Sequence, residues 1–109
     1  MNANILQNYN VELKRGTQII VVLSQLHEKE YGYSLLQKLT DKGVNIEAGT
    51  LYPLLRRLES QGILMSVWDT SLNRPRKYYV LSDFGIDLYK HLIEEWNKTI
   101  NEVKEITGG

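Results

Sequence analysis

Glu47-Ala48-Gly49-Thr50-Leu51-Tyr52-Pro53-Leu54-Leu55-Arg56-Arg57-Leu58-Glu59-Ser60-Gln61-Gly62-Ile63-Leu64 is the stretch on which the fold turns. Leu51, Leu54, Leu55 and Leu58 stand at i, i+3, i+4 and i+7, the spacing that puts side chains on one face of a helix. Gly49, Thr50, Tyr52, Pro53, Arg56 and Arg57 lie opposite them. The spacing predicts a helix over about 47–61 that packs on one side and offers hydroxyls and cations on the other. Pro53 frees the Gly49 carbonyl and crowds the preceding turn, so it is tolerated only near a helix start. Gly62 ends the helix, and a strand pattern follows.

Upstream, residues 1–10 are polar and mixed and read as an arm or a frayed helix start. Val11 to His27 reads as one helix, apolar nearly all round, as befits a central helix touching its own domain and a partner. Gly32 marks a break. A second helix is predicted over Tyr33–Lys42, with Leu35, Leu36 and Leu39 inward and Gly43 as its C-terminal cap. Downstream, Ile63–Asp69 and Arg76–Leu81 read as two strands of a hairpin, joined by the turn-forming run Thr70-Ser71-Leu72-Asn73-Arg74-Pro75. Ser82 reads as the N-cap of a last helix reaching about Ile106, with Asp83 favourably placed in its first turn. Ile86, Tyr89, Ile93, Trp96, Ile100 and Val103 are spaced 3, 4, 3, 4 and 3 apart, a heptad seam.

Charge is segregated along the chain. The net formal charge is zero, yet residues 50–81 carry Arg56, Arg57, Arg74, Arg76 and Lys77 against Glu59 and Asp69, while residues 82–109 are net acidic. A local basic patch suffices for a polyanion, because distant charges are screened. At 109 residues the chain is the size of one domain, and its 42% apolar content allows a modest core to which a second copy would add buried area. No cysteine is present, which fits a reducing cytoplasm and excludes disulfides and thiolate metal sites. His27 and His91 are the only histidines and are expected at the surface, so no metal or other cofactor is expected. No run approaches the roughly 18 apolar residues of a membrane span, and the first residues lack the pattern of a signal peptide. Without cysteine, glycine-rich phosphate loop or connected histidines, an enzyme is not expected.

The order helix, helix, turn, helix, hairpin, long helix is that of a winged helix-turn-helix: mainly α, with a two-stranded β-hairpin. The expected division is a DNA-binding unit over 1–81, whose first helix also serves the dimer, and a C-terminal dimerisation helix over 82–109. Tyr31-Gly32-Tyr33-Ser34-Leu35-Leu36, the run Gly49–Leu64 and Arg76-Lys77-Tyr78-Tyr79-Val80-Leu81-Ser82-Asp83-Phe84-Gly85 together resemble the PadR family of bacterial transcriptional regulators. The likeness covers about residues 11–106. It implies a homodimeric repressor answering to phenolic, other aromatic or drug-like compounds, and the single last helix resembles the family's short form.

On this reading, double-stranded DNA meets Tyr33, Ala48, Gly49, Thr50, Tyr52, Pro53, Arg56, Arg57, Asn73, Arg74, Arg76, Lys77 and Tyr79. Thr50 and Tyr52 sit near a helix N-terminus, where hydroxyls and backbone N–H groups suit phosphate oxygens. Each has a plainer alternative. Arg56 and Arg57 form a solvated face or a phosphate contact. Tyr52 packs on the hairpin or reaches DNA, and Tyr33 packs on the first helix or donates to phosphate. Ala48 and Gly49 are small to let DNA approach or to suit capping. Arg74, Arg76 and Lys77 in the wing meet phosphate or enter a minor groove. Tyr78 and Tyr79 alternate faces, and spacing does not say which is core.

The expected dimer contacts are Ile20, Leu23, Ile86, Tyr89, Ile93, Trp96, Ile100 and Val103. Trp96, with Tyr89 and Ile93, is either interface core or a stacking wall for a flat aromatic effector. Trp68 carries the same ambiguity and is expected in the core. The competing function is a winged helix that docks a protein partner and has no DNA role.

Overall fold

The computed structural model describes residues 2–71 and 73–109. Leu72, within the predicted hairpin turn, lies outside the described residues. The elements run α1 (Ala3–Lys14), a 3-10 turn (Arg15–Thr17), α2 (Gln18–Ser24), β1 (Glu30–Tyr31), α3 (Gly32–Asp41), α4 (Ala48–Ser60), β2 (Leu64–Asp69), β3 (Arg76–Leu81) and α5 (Asp83–Thr107). The winged helix-turn-helix expected from the pattern is the architecture observed.

The central leucines of α4 do what their spacing predicts. Leu51, Leu55 and Leu58 are buried against Val22, Leu23 and Leu26 of the α2 region, Leu35 and Leu39 of α3, and Leu64, Tyr79 and Leu81 of the hairpin, in one continuous core. Gly43 (φ 82°) and Gly62 (φ 76°) end α3 and α4 in the left-handed conformation that glycine adopts without steric penalty. Val44 N–H then reaches back to the Leu39 carbonyl (2.8 Å), and Ile63 N–H to that of Leu58 (2.9 Å).

Three features depart from the expectation. The single helix over 11–27 is two helices. The first begins at Ala3, where the Asn2 side chain accepts the N–H groups of Asn4 (2.9 Å) and Ile5 (3.3 Å), and the 3-10 turn around Gly16 separates it from α2. The hairpin is joined by a third strand. β1 pairs antiparallel with β3, Glu30 opposite Tyr79 and Tyr31 opposite Tyr78, so the sheet order is β1-β3-β2. Trp68, expected in the core, is 60% exposed.

Helix α1 buries none of its residues, and Ile5, Leu6, Tyr9, Val11 and Leu13 are all exposed on it. Helix α5 divides in two. Ile86, Leu88, Tyr89 and Leu92 pack against the core, whereas Trp96 and Val103 beyond them are exposed. These projecting helices stretch the chain to 56 Å in its longest dimension, with a radius of gyration of 16.5 Å. A compact domain of about 100 residues has a radius near 13 Å, so a good part of this chain lies outside its own core.

Candidate nucleic-acid interface

Ser82 alone separates β3 from α5. Its hydroxyl accepts the Gly85 N–H (3.0 Å), and its own N–H donates to the Ile63 carbonyl (3.0 Å). Leu81 N–H meanwhile donates to the carbonyl of Leu26, just past α2 (2.8 Å). The hairpin is therefore bonded at its base to elements on both sides, and α4, whose last turn runs into β2, is held with it.

This scaffold presents α4 outward along one strip. Gly49, Thr50, Pro53, Arg56 and Arg57 are all exposed, while Ala48 and Tyr52 are half-buried at its margin. Pro53 lies in the second turn of the helix. It leaves the Gly49 carbonyl without its helical donor, and both residues face outward, where water or a ligand satisfies the oxygen. Tyr52 packs, but on Gly32 at the start of α3: a Cβ at Gly32 would stand 2.7 Å from the Tyr52 Cε1 atom.

Beside α4 the aromatic residues form a column. Tyr33, 64% exposed, stacks on Tyr31 with 6.4 Å between ring centroids and 14° between planes. The Arg76 guanidinium lies 4.9 Å from the Tyr31 centroid, at cation–π distance. Tyr78 meets the same ring edge-on at 5.6 Å. A cleft of about 290 Å³ is lined by Tyr31, Gly32, Tyr33, Tyr52, Arg56, Arg76, Lys77 and Tyr79. It joins phenol hydroxyls to guanidinium groups, a lining suited to phosphate oxygens. Tyr31 was not among the expected contacts. Its part depends on β1, and two residues are too few to show a strand period. Asn73 and Arg74 stand exposed at the hairpin tip. There the Asp69 carboxylate accepts the Ser71 hydroxyl (2.6 Å) and backbone N–H (2.9 Å), which hold it below the usual carboxylate range.

One of the expected DNA contacts is corrected, and a second is already paired within the chain. Tyr79 is 8% exposed and belongs to the core, so its neighbour Tyr78 is the one on the outer face of the sheet. The Lys77 ammonium is engaged: it donates to Glu59 Oε1 at 2.7 Å, and Ser66 donates its hydroxyl to Glu59 Oε2. Hydrogen bonds from Lys77 and then Ser66 lower the Glu59 pKa, and the bond to Glu59 raises that of Lys77. A matching group lies at the other sheet edge. Glu30 Oε1 accepts from Lys38 (2.7 Å) and Oε2 from Ser34 (2.6 Å), tying β1 to α3. Burial pushes the Glu30 carboxyl up, but those bonds and the Lys38 charge outweigh it and leave its pKa lowered.

The expected dimer set is also redistributed. Leu23 is fully buried in its own chain's core and is removed from the set. Ile86 and Tyr89 pack on that core as well, and the Tyr89 ring meets His27 edge-to-face at 5.1 Å. Ile20, Ile93 and Ile100 are half-buried, and Trp96 is 42% exposed. The three residues weighed as an effector wall thus differ in kind, Tyr89 and Ile93 being partly covered and Trp96 open.

Among the described residues, no cluster of side chains is suited to a metal ion, and no helix is long and apolar enough to cross a membrane. The family model described as the transcriptional regulator PadR-like family matches residues 19–91. A transcriptional regulator of Mycobacterium tuberculosis is 30% identical over 100 residues, which cover 90% of each chain. Among solved structures, a PadR family transcriptional regulator from Eggerthella lenta is 45% identical, with a TM-score of 0.90 over 95% of this chain and 93% of that one. A PadR-like regulator from Bacillus cereus is 27% identical, with a TM-score of 0.76 over 90% and 98%. These proteins are regulators rather than enzymes, and the chain, with the same winged helix and an outward cationic strip on α4, belongs to the PadR-like family of DNA-binding transcriptional regulators.

Proposed function

We propose that the chain is a cytoplasmic homodimeric repressor that binds an inverted-repeat operator and is released by an aromatic or drug-like small molecule. The observation that carries the DNA reading is the exposed strip of Gly49, Thr50, Pro53, Arg56 and Arg57 beside the cations of the wing. A leucine-anchored helix with this outer face enters a major groove, while the hairpin tip, with Asn73, Arg74 and Arg76, reaches backbone or minor groove. The dimer reading rests on α1, which buries nothing, and on the exposed far half of α5. Each carries large apolar side chains that the described residues of its own chain leave exposed. Two copies joined through them present two recognition helices, with half-sites about 10 bp apart. An aromatic effector stacked on Trp96 at the dimer centre acts by preferring one separation of the wings, since a ligand shifts an equilibrium only by its unequal affinity for the two states.

The test is fluorescence anisotropy with duplexes from the chain's own upstream region, over a range of salt. Arg56→Ala combined with Arg74→Ala should weaken binding and lower the salt slope by about one for each phosphate that is no longer neutralised. Unchanged affinity refutes the contact assignment. Absence of binding at low salt, with capture of a protein partner through α4, replaces the DNA reading with the protein-docking one.

A further inference from the structure

Gly62 and the buried Ile63 lead from α4 into the hairpin, and the Ile63 N–H bonds back to the Leu58 carbonyl. The base of the hairpin is held by the core, where Leu64, Tyr79 and Leu81 are buried. Beyond the Ser66–Tyr79 rung the core ends: Val67, Trp68 and Arg76 are exposed. At that boundary Glu59, one turn before Gly62, takes hold of both strands. One carboxylate oxygen receives the Ser66 hydroxyl of β2 and the other the Lys77 ammonium of β3. The Glu59 and Lys77 side chains keep about 30% of their exposure.

We propose that Glu59 is a positioning residue for DNA recognition, setting the angle between the recognition helix and the wing by clamping both strands of the hairpin. The inference rests on the DNA reading above and adds to it the element that fixes the spacing of its two contact points. The alternative is a plain surface ion pair, which contributes little to stability. Two observations favour the clamp. The carboxylate bridges three elements rather than two, and it pairs with a cation of the basic face. A carboxylate at a phosphate-binding surface opposes affinity for every DNA sequence alike. A clamp gives it a use, because geometry discriminates among sequences where charge does not.

The two views part on the ratio of affinities. Glu59→Ala removes a negative charge and releases Lys77. If the carboxylate matters only as charge, operator and random duplex both bind more tightly and in proportion. If it positions the wing, random duplex binds more tightly, with a salt slope steeper by about one, while the ratio of operator to random affinity falls about tenfold. Glu47→Ala serves as the charge control: Glu47 precedes α4, is exposed and makes no capping bond. It should move both affinities together. The reversed pair, Glu59→Lys with Lys77→Glu, keeps the net charge and should recover most of the discrimination that either single variant gives up. An unchanged ratio in Glu59→Ala, or no recovery in the reversed pair, overturns the proposal. Failure of the unmodified protein to prefer any operator overturns instead the DNA reading on which it rests.

Discussion

Gly85→Ala places a methyl group where the fold has no room. Gly85 is the third residue of α5 and is buried. A Cβ there would lie 2.1 Å from the Ile63 carbonyl oxygen and 3.1 Å from both the Ile63 carbonyl carbon and Leu81 Cδ2. Ordinary carbon–oxygen contact begins near 3.3 Å, so α5 must withdraw from the hairpin by about 1 Å. The same carbonyl accepts the Ser82 N–H at 3.0 Å, so withdrawal also strains the joint between wing and helix. Alanine in place of glycine favours a helix by up to about 1 kcal/mol. Overpacking costs about 1–3 kcal/mol, and a weakened buried hydrogen bond adds about 1 kcal/mol. The net is a destabilisation of about 2 kcal/mol. At roughly 4–8 °C per kcal/mol for a domain near this size, Tm should fall by roughly 10 °C in calorimetry at fixed protein concentration. Gly49→Ala is the matched comparison, a helical glycine whose added Cβ meets nothing within 4 Å; its Tm should hold or rise. Equal, positive shifts for the two variants would refute the packing argument, since propensity alone would then account for both.

Gly49→Ala should weaken operator binding despite its stability, because the methyl intrudes between α4 and the duplex; anisotropy titration reads this directly. Leu51→Ala empties a fully buried site in the core and should cost about 2–5 kcal/mol in denaturant unfolding. Trp96→Ala removes a half-open indole from α5 and should shift sedimentation toward monomer and reduce the quenching produced by aromatic ligands, with little change in far-UV circular dichroism. The Glu59–Lys77 pair has a definite pH signature. The Glu59 pKa is lowered, so its contribution is present above the ordinary carboxylate range, about pH 4–4.5, and lost as pH falls through the depressed value. The Lys77 pKa is raised, so its share is present below the ordinary lysine value and lost as pH rises through the elevated one. The Tm difference between unmodified protein and Glu59→Ala should therefore be flat from about pH 5 to 9 and shrink in stronger acid; a difference that grows on acidification contradicts the assignment.

Most of the architecture could be read from local pattern because its elements carry their own periods and stops. The leucine spacing of α4, the glycines after α3 and α4, and the Ser82 cap are each decided within a few residues. What escaped depends on partners far along the chain. Strand β1 exists only because β3 lies beside it. The orientation of Tyr78 and Tyr79 follows from the pairing of Tyr79 with Ser66, which alternation alone leaves undetermined. Lys77 reads as a free cation until its carboxylate partner, 18 residues earlier, is seen beside it. Trp68 shares its strand face with buried Leu64 but lies past the point where the core ends. Within the heptad of α5, spacing does not distinguish the turns that pack on their own chain from those left open.

The joint at Ser82 has a mechanical consequence. With a single residue between ribbon and rod, and backbone bonds anchoring both sides of it, the roll of the wing and the aim of α5 amount to one degree of freedom. A helix of 25 residues extends about 37 Å at 1.5 Å per residue. A few degrees of rotation at its root therefore sweep its far tip through several ångströms, and a small force applied at that tip is returned to the wing with long leverage.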